Sequence, residues 1–279
     1  MLLECVGMSR GSYLYQKRIA PSKAYTIKYK EQIEAIKEIH KDSKERYGYR
    51  RIGMVLDKKD LHLNHKTLHA VMRKLNIQGI YRKSRRKYSS YQGTVGKIAP
   101  NLLNRNYTPA VPLTSFATDV SEFAHPDGKL YLSPIIDMCT NEVVAFDVAE
   151  SPSMQQISRM LTRFDKLLKE HNVKDAMVHS DQGWQYQQRG YVNWLKEHSL
   201  IQSMSRKATT ADNIMIEIFF GRMKVEMFYG KENSYETKED LKQAIKNYIK
   251  WYNKERVCQK LKGMSPIEFR NHALYSVRK

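Results

Sequence analysis

The chain has 279 residues, 41% of them hydrophobic, which supplies a sizeable core but no unbroken apolar run long enough for a transmembrane helix. Its three cysteines, Cys5, Cys139 and Cys258, are odd in number and far apart, so neither a disulfide framework nor a zinc knuckle is suggested. The net charge of +19 is concentrated in residues 1–110, with 24 Lys and Arg against 8 Asp and Glu, whereas residues 111–279 hold 24 against 21. A basic excess gathered in one segment points to a polyanionic partner, because neutralising phosphates releases condensed counterions. The first residues carry no long apolar stretch with a small-residue cleavage site, so a cytoplasmic, nucleoid-associated protein is expected.

Val6 to Tyr13 read as a turn and a capped helix, half of a helix-turn-helix whose partner is missing, so residues 1–27 form a partial remnant. In residues 28–42, Ile33, Ile36 and Ile39 share one helical stripe. A second helix fits 48–58 through Ile52, Val55 and Leu56. Asn64 caps a third, with Leu68, Val71, Met72 and Leu75 inside and His65, Lys66, His69, Arg73 and Lys74 outside. Three short helices with a basic third describe an all-α helix-turn-helix DNA-binding region over 28–88. A small bundle with a solvated basic face has the same pattern, and periodicity leaves both readings open. The run from Tyr81 to Tyr88 adds Arg82, Lys83, Arg85, Arg86 and Lys87, suited to a phosphate backbone or to a solvated tether. Residues 89–112, with Gly93, Gly96, Pro100, Pro109 and Pro112, read as a linker.

From 113 to 230 the pattern is α/β. Phe116 to Phe123 reads as one strand, Leu130 to Met138 and Glu142 to Ala149 as two more, and 153–170 as a helix. Lys174 to Ser180 is a strand, Tyr186 to His198 a helix and Leu200 to Met204 a strand; Asp212 caps a helix through Met227. Periodicity establishes only an α/β domain, but this element order is that of a ribonuclease-H-like fold. Residues 231–279 read as a helical extension, with Leu241, Ile245, Tyr248, Ile249 and Tyr252 on the buried side of a helix over 237–254.

Three acidic positions stand out on that frame. Asp119 lies in the first strand, Asp181 follows the fourth, and Glu217 sits in an otherwise apolar stretch of the last helix. Carboxyl ends of strands are where open α/β sheets place their sites. Lys224 lies two helical turns beyond Glu217 and shares its face. Three convergent carboxylates repel one another, and hard divalent cations relieve that repulsion. Two Mg²⁺ or Mn²⁺ ions, with Asp119 bridging and Asp181 and Glu217 holding one each, would suit phosphodiester displacement. Any single carboxylate is more often a surface charge or a cap; Asp137, Asp147 and Glu122 are read that way, and His179 as packing or hydrogen bonding behind the site.

Thr118–Phe123, His179–Gly183 and Asp212 through Glu226 resemble the three acidic motifs of bacterial insertion-sequence transposases. The match is to the second-reading-frame type, which has a retroviral-integrase-like catalytic core. Trp251–Arg256 and Leu261–Pro266 are similar to that family's C-terminal signature, and residues 46–52 (RYGYRRI) to its helix-turn-helix module. The resemblance implies a ribonuclease-H-like integrase core that cleaves and joins DNA, with Asp119, Asp181 and Glu217 as catalytic metal ligands. It implies that Lys224 contacts DNA beside them and that Asn213 faces the same cleft. The implied partners are the element's inverted-repeat ends, target DNA, further copies of the chain in a homo-oligomer, and an upstream-reading-frame product; no membrane partner is implied. A catalytically inactive DNA-binding copy acting as a repressor is the alternative. Phe116 departs from the family's usual Trp.

Overall fold

The computed structural model describes residues 9–19, 29–81, 98–103, 106–206 and 210–277, which form two compact units divided at Ile80 and Tyr81. In the first, helix α1 (Arg10–Ile19) starts on Ser9, whose hydroxyl accepts from the Ser12 amide at 3.1 Å. Helices α2 (Lys30–Asp42), α3 (Tyr49–Lys58) and α4 (His65–Lys74) close a small core. Its members include Ile33, Ile36, Ile39, Ile52, Leu56, Leu68, Val71 and Met72, which are the stripes that periodicity selects. Asn64 caps α4 as expected, accepting from the Lys66 amide at 2.9 Å. The chain leaving α4 returns against the start of α3. A Cβ on Gly79 would stand 2.4 Å from the Gly48 nitrogen, so only glycine permits that approach.

The second unit is a mixed sheet between two helical layers. Strands β1 (Ser115–Thr118), β2 (Ser121–His125), β3 (Gly128–Asp137) and β4 (Val143–Ala149) come first. Helix α5 (Met154–His171), β5 (Met177–Ser180), α6 (Arg189–Glu197) and β6 (Ile201–Met204) follow. Then come α7 (Ile214–Met223), α8 (Lys238–Lys254) and α9 (Pro266–Val277). β3 pairs antiparallel with β4 on one side and with β1 and β2 on the other; β1, β5 and β6 run parallel. Alternation sends Phe116 to one face, with α5 and α6, and Ala117 to the other, with α7 and α8. Phe116 is fully buried edge-to-face on Phe164, 4.8 Å between centroids, so the ring fits this core.

Four expectations need correcting. The single strand over Phe116–Phe123 is two strands that share one register on β3, Thr118 opposite Ile135 and Ser121 opposite Leu132, broken at Asp119-Val120. The Asp119 carboxylate takes the Val120 amide at 2.7 Å and so withdraws it from the ladder. The helix expected from Tyr186 is a 3₁₀ turn (Trp184–Gln187) followed by α6. Asp212 is no cap: it lies in a 3₁₀ turn (Thr210–Asn213), where its carboxylate pairs with Arg206 at 2.9 Å and accepts from Asn101 at 2.8 Å. The last helix is not uniform, because α7 runs into a π turn over Lys224–Phe228.

Residues 98–103 lie along β6, where the Leu102 amide donates to Ser203 Oγ at 2.9 Å and Leu103 is buried. Helix α8 begins with a capping box between Thr237 and Asp240 and buries Leu241, Ile245, Tyr248, Ile249 and Tyr252 against the sheet. Its C-terminal end is tied to α7's continuation by Glu226 and Arg256, both buried, with Nη2 to Oε1 at 2.5 Å and Nε to Oε2 at 3.1 Å. The Tyr248 hydroxyl donates to the same carboxylate at 2.8 Å.

Candidate active site

Thr118 and Ser180 stand opposite each other in the parallel β1–β5 ladder. Asp119 and Asp181 are therefore the next residues off the carboxyl ends of neighbouring strands, about 5 Å apart in backbone spacing. One oxygen of each is held by main chain: Asp119 Oδ1 accepts from Val120 at 2.7 Å, and Asp181 Oδ1 from Gly183 at 2.8 Å. A Cβ on Gly183 would come within 2.9 Å of that Asp181 oxygen, so the missing side chain leaves room for the bond. Beneath both lies Tyr186, wholly buried, with its hydroxyl 3.5 Å from Thr118 Oγ1, which itself donates to the Pro134 carbonyl at 2.9 Å.

The electrostatics tie these residues to α7. Burial pushes the Asp119 carboxyl well above the usual carboxylate range; the Asp181 and Glu217 charges add to that, while the Val120 amide and Lys224 oppose it. Burial raises Asp181 against the Gly183 amide, and burial followed by the Asp181 charge raises Glu217. Glu217 is exposed on α7, flanked by exposed Ile214 and Ile218, so it is not the enclosed carboxylate that its apolar neighbours suggest in sequence. Lys224 is half-buried, its ammonium 5.1 Å from the centre of the Phe123 ring, which stacks edge-on against Phe228. Burial lowers its pKa, and Glu122 and Asp119 pull it back up.

The donor set is all oxygen and mutually repulsive, which suits a hard divalent cation. Among the described residues no three His, Cys, Asp or Glu are gathered closely enough to enclose an ion by themselves. Asn213 is buried with Oδ1 lacking a hydrogen-bond partner. His179 is also buried, its Nδ1 2.9 Å from Ser203 Oγ. The bystander acids sit as expected: Asp147 is buried between Arg159 (2.8 Å) and Arg163 (2.6 Å), Asp137 is buried on Thr140, and exposed Glu122 pairs with Lys129 at 3.0 Å.

On α4, Lys66, His69, Arg73 and Lys74 are all exposed on the face opposite Leu68, Val71 and Met72. Arg82, Lys83, Arg85, Arg86 and Lys87 lie outside the described residues. Sequence reasoning misses Tyr186, Phe123 as the seat of Lys224, and the Arg206–Asp212–Asn101 tie. Only the ring of Phe123, inside an acidic motif, leaves a trace in sequence.

Models described as integrase core domain match residues 111–210 and 217–274, and an HTH-like domain model matches 28–85. The putative transposase InsK for insertion sequence element IS150 of Escherichia coli K12 is 42% identical over 97% of this chain and 92% of its own length. The chain belongs to the IS3 family of insertion-sequence transposases. A transposase-like protein of Haemophilus influenzae is 46% identical over 76% of this chain and 95% of its own length. A chain of the simian T-cell lymphotropic virus intasome, solved with a PP2A regulatory subunit, shares the fold at TM-score 0.50 and 10% identity. That match covers 84% of this chain and 73% of that one. This transposase therefore has a helical HTH-like region followed by a mixed α/β, ribonuclease-H-like integrase core. No described helix is long and apolar enough to cross a membrane.

Proposed function

We propose that this transposase binds the inverted-repeat ends of its element and catalyses metal-dependent DNA cleavage and strand transfer through Asp119, Asp181 and Glu217. The observation that carries this reading is the emergence of Asp119 and Asp181 from the registered pair Thr118 and Ser180, with Glu217 and Lys224 acting electrostatically on Asp119. Asp119 would bridge two Mg²⁺ or Mn²⁺ ions, Asp181 and Glu217 holding one each. When bound, the ions would offset the charge gathering on the attacking and leaving oxygens of a phosphodiester.

The chain's own groups do the rest. The Val120 and Gly183 amides orient the two aspartates, which leaves each a second oxygen for a cation. Lys224, seated on Phe123, holds a DNA phosphate beside the reacting bond. Lys66, His69, Arg73 and Lys74 meet DNA from α4 in the major groove, and Arg82, Lys83, Arg85, Arg86 and Lys87 follow its backbone. Self-association brings two element ends together. The functional units run 1–27, 28–88, 89–112, 113–230 and 231–279.

The test is nicking of a duplex that carries the element end. Product formed in Mg²⁺, lost in chelator and lost in Asp119→Asn supports the reading. Equal nicking by the wild type and Asp119→Asn overturns it.

A further inference from the structure

Helix α8 carries a lysine at every fourth position along its 17 residues: Lys238, Lys242, Lys246, Lys250 and Lys254. Residues four apart are surface neighbours on a helix, so these side chains form one ridge about 24 Å long, with steps of about 6 Å. The core face of Leu241, Ile245, Tyr248, Ile249 and Tyr252 fixes the helix against the sheet and turns the far half of the ridge outward. Lys250 and Lys254 are exposed, while Lys242 and Lys246 keep 34% and 42% of their side-chain surface.

The ridge works against the helix that bears it. Four successive pairs at i and i+4 are like-charged, and each such pair destabilises an isolated helix. Opposite charge is scarce: Lys238 meets Glu150, and Lys242 and Lys246 share Glu239. Lys250 and Lys254 pair with no carboxylate among the described residues. The helix dipole favours cations only in the last turn and so leaves Lys242 and Lys246 unexplained. Solubility asks for mixed signs rather than one ordered row.

A linear polyanion removes the repulsion. We infer that the α8 ridge is a second DNA-binding surface, apart from α4 and the carboxylate cleft, that tracks the phosphate backbone of duplex DNA without reading sequence. The inference rests on the reading of the chain as a DNA transposase. Lysine ammoniums are point charges, which hold phosphates but do not make the forked contacts that discriminate bases. The pairs to Glu150 and Glu239 are surface pairs, so they exchange readily for phosphates.

The test is a salt titration of affinity for a random-sequence duplex, using the full chain and Lys242→Gln/Lys246→Gln/Lys250→Gln/Lys254→Gln. The slope of log affinity against log salt changes by about 0.9 per phosphate contact. The expected result is a slope shallower by about two to four for the quadruple variant, weaker binding at low salt, and an unchanged or higher melting temperature. The matching quadruple Lys→Arg variant retains the wild-type slope. An unchanged slope in the Gln variant overturns the inference even where element-end nicking persists. A reduced slope in a chain that nicks no DNA leaves the ridge standing and overturns the transposition reading instead. Loss of self-association with DNA affinity intact assigns the ridge to protein contact and also overturns it.

Discussion

Arg256 meets Glu226 through two hydrogen bonds, and neither side chain reaches solvent. The pair fixes the C-terminal end of α8 to the chain that continues from α7, the helix that carries Glu217. Breaking a buried pair leaves an uncompensated charge, so Arg256→Gln should lose about 3–5 kcal/mol in urea denaturation. Glu226→Gln/Arg256→Gln should lose less than the two single changes together, because neither charge is then stranded. Additive losses would show that the pair contributes nothing as a unit.

Gly183→Ala tests the support of Asp181 directly. The added methyl would crowd the Asp181 oxygen at 2.9 Å and the flexible Gln185 amide at 2.7 Å, while the backbone there is ordinary for alanine. Metal-dependent nicking should fall about 10- to 100-fold, with a melting temperature near that of the wild type. Unchanged nicking would mean that the Gly183 amide does not position the carboxylate.

Removing a carboxylate should stabilise the metal-free fold. Burial and the charges of its acidic neighbours push the Asp119 carboxyl well above the usual carboxylate range, so Asp119→Asn relieves both and should raise the melting temperature in chelator. Mg²⁺ at 100 times its Kd should stabilise the wild type by about 2.7 kcal/mol and leave Asp119→Asn unmoved. Differential scanning calorimetry with and without metal reads both effects; a wild type indifferent to Mg²⁺ and Mn²⁺ would contradict the ligand assignment.

How far the sequence discloses this architecture depends on the range of the interactions involved. The stripes Ile33–Ile39, Leu68–Met72 and Leu241–Tyr252 and the Asn64 cap are local, and they can be read directly. The strand break at Asp119 cannot, because Phe116 to Phe123 is uniformly strand-favouring and the break arises from one side chain capturing its neighbour's amide. Asp212 looks like a cap until Arg206 and Asn101 are beside it, and Asn101 is distant in sequence. Acidic motifs single out Asp119, Asp181 and Glu217, but the exposure of Glu217 and the tyrosine beneath the aspartates are tertiary facts.

Glu142 should make stability depend on pH. Burial raises its carboxyl to about 7 from a usual 4.5, although Arg270 lies 3.1 Å away. A raised carboxyl means that the folded chain holds a proton the unfolded chain has released. Its contribution to stability is therefore lost as pH rises from about 4.5 through about 7. Glu142→Gln removes that loss, so its melting temperature relative to wild type should rise between pH 5 and pH 8; a pH-independent difference would contradict it.

The most direct measurement is joining of a labelled, 3′-hydroxyl element-end duplex to target DNA in Mg²⁺, comparing the wild-type chain with Glu217→Gln. The account predicts joined product from the wild type alone, with both proteins binding the end equally. Equal joining by the two proteins would contradict it, since a carboxamide cannot replace Glu217 as an anionic metal ligand.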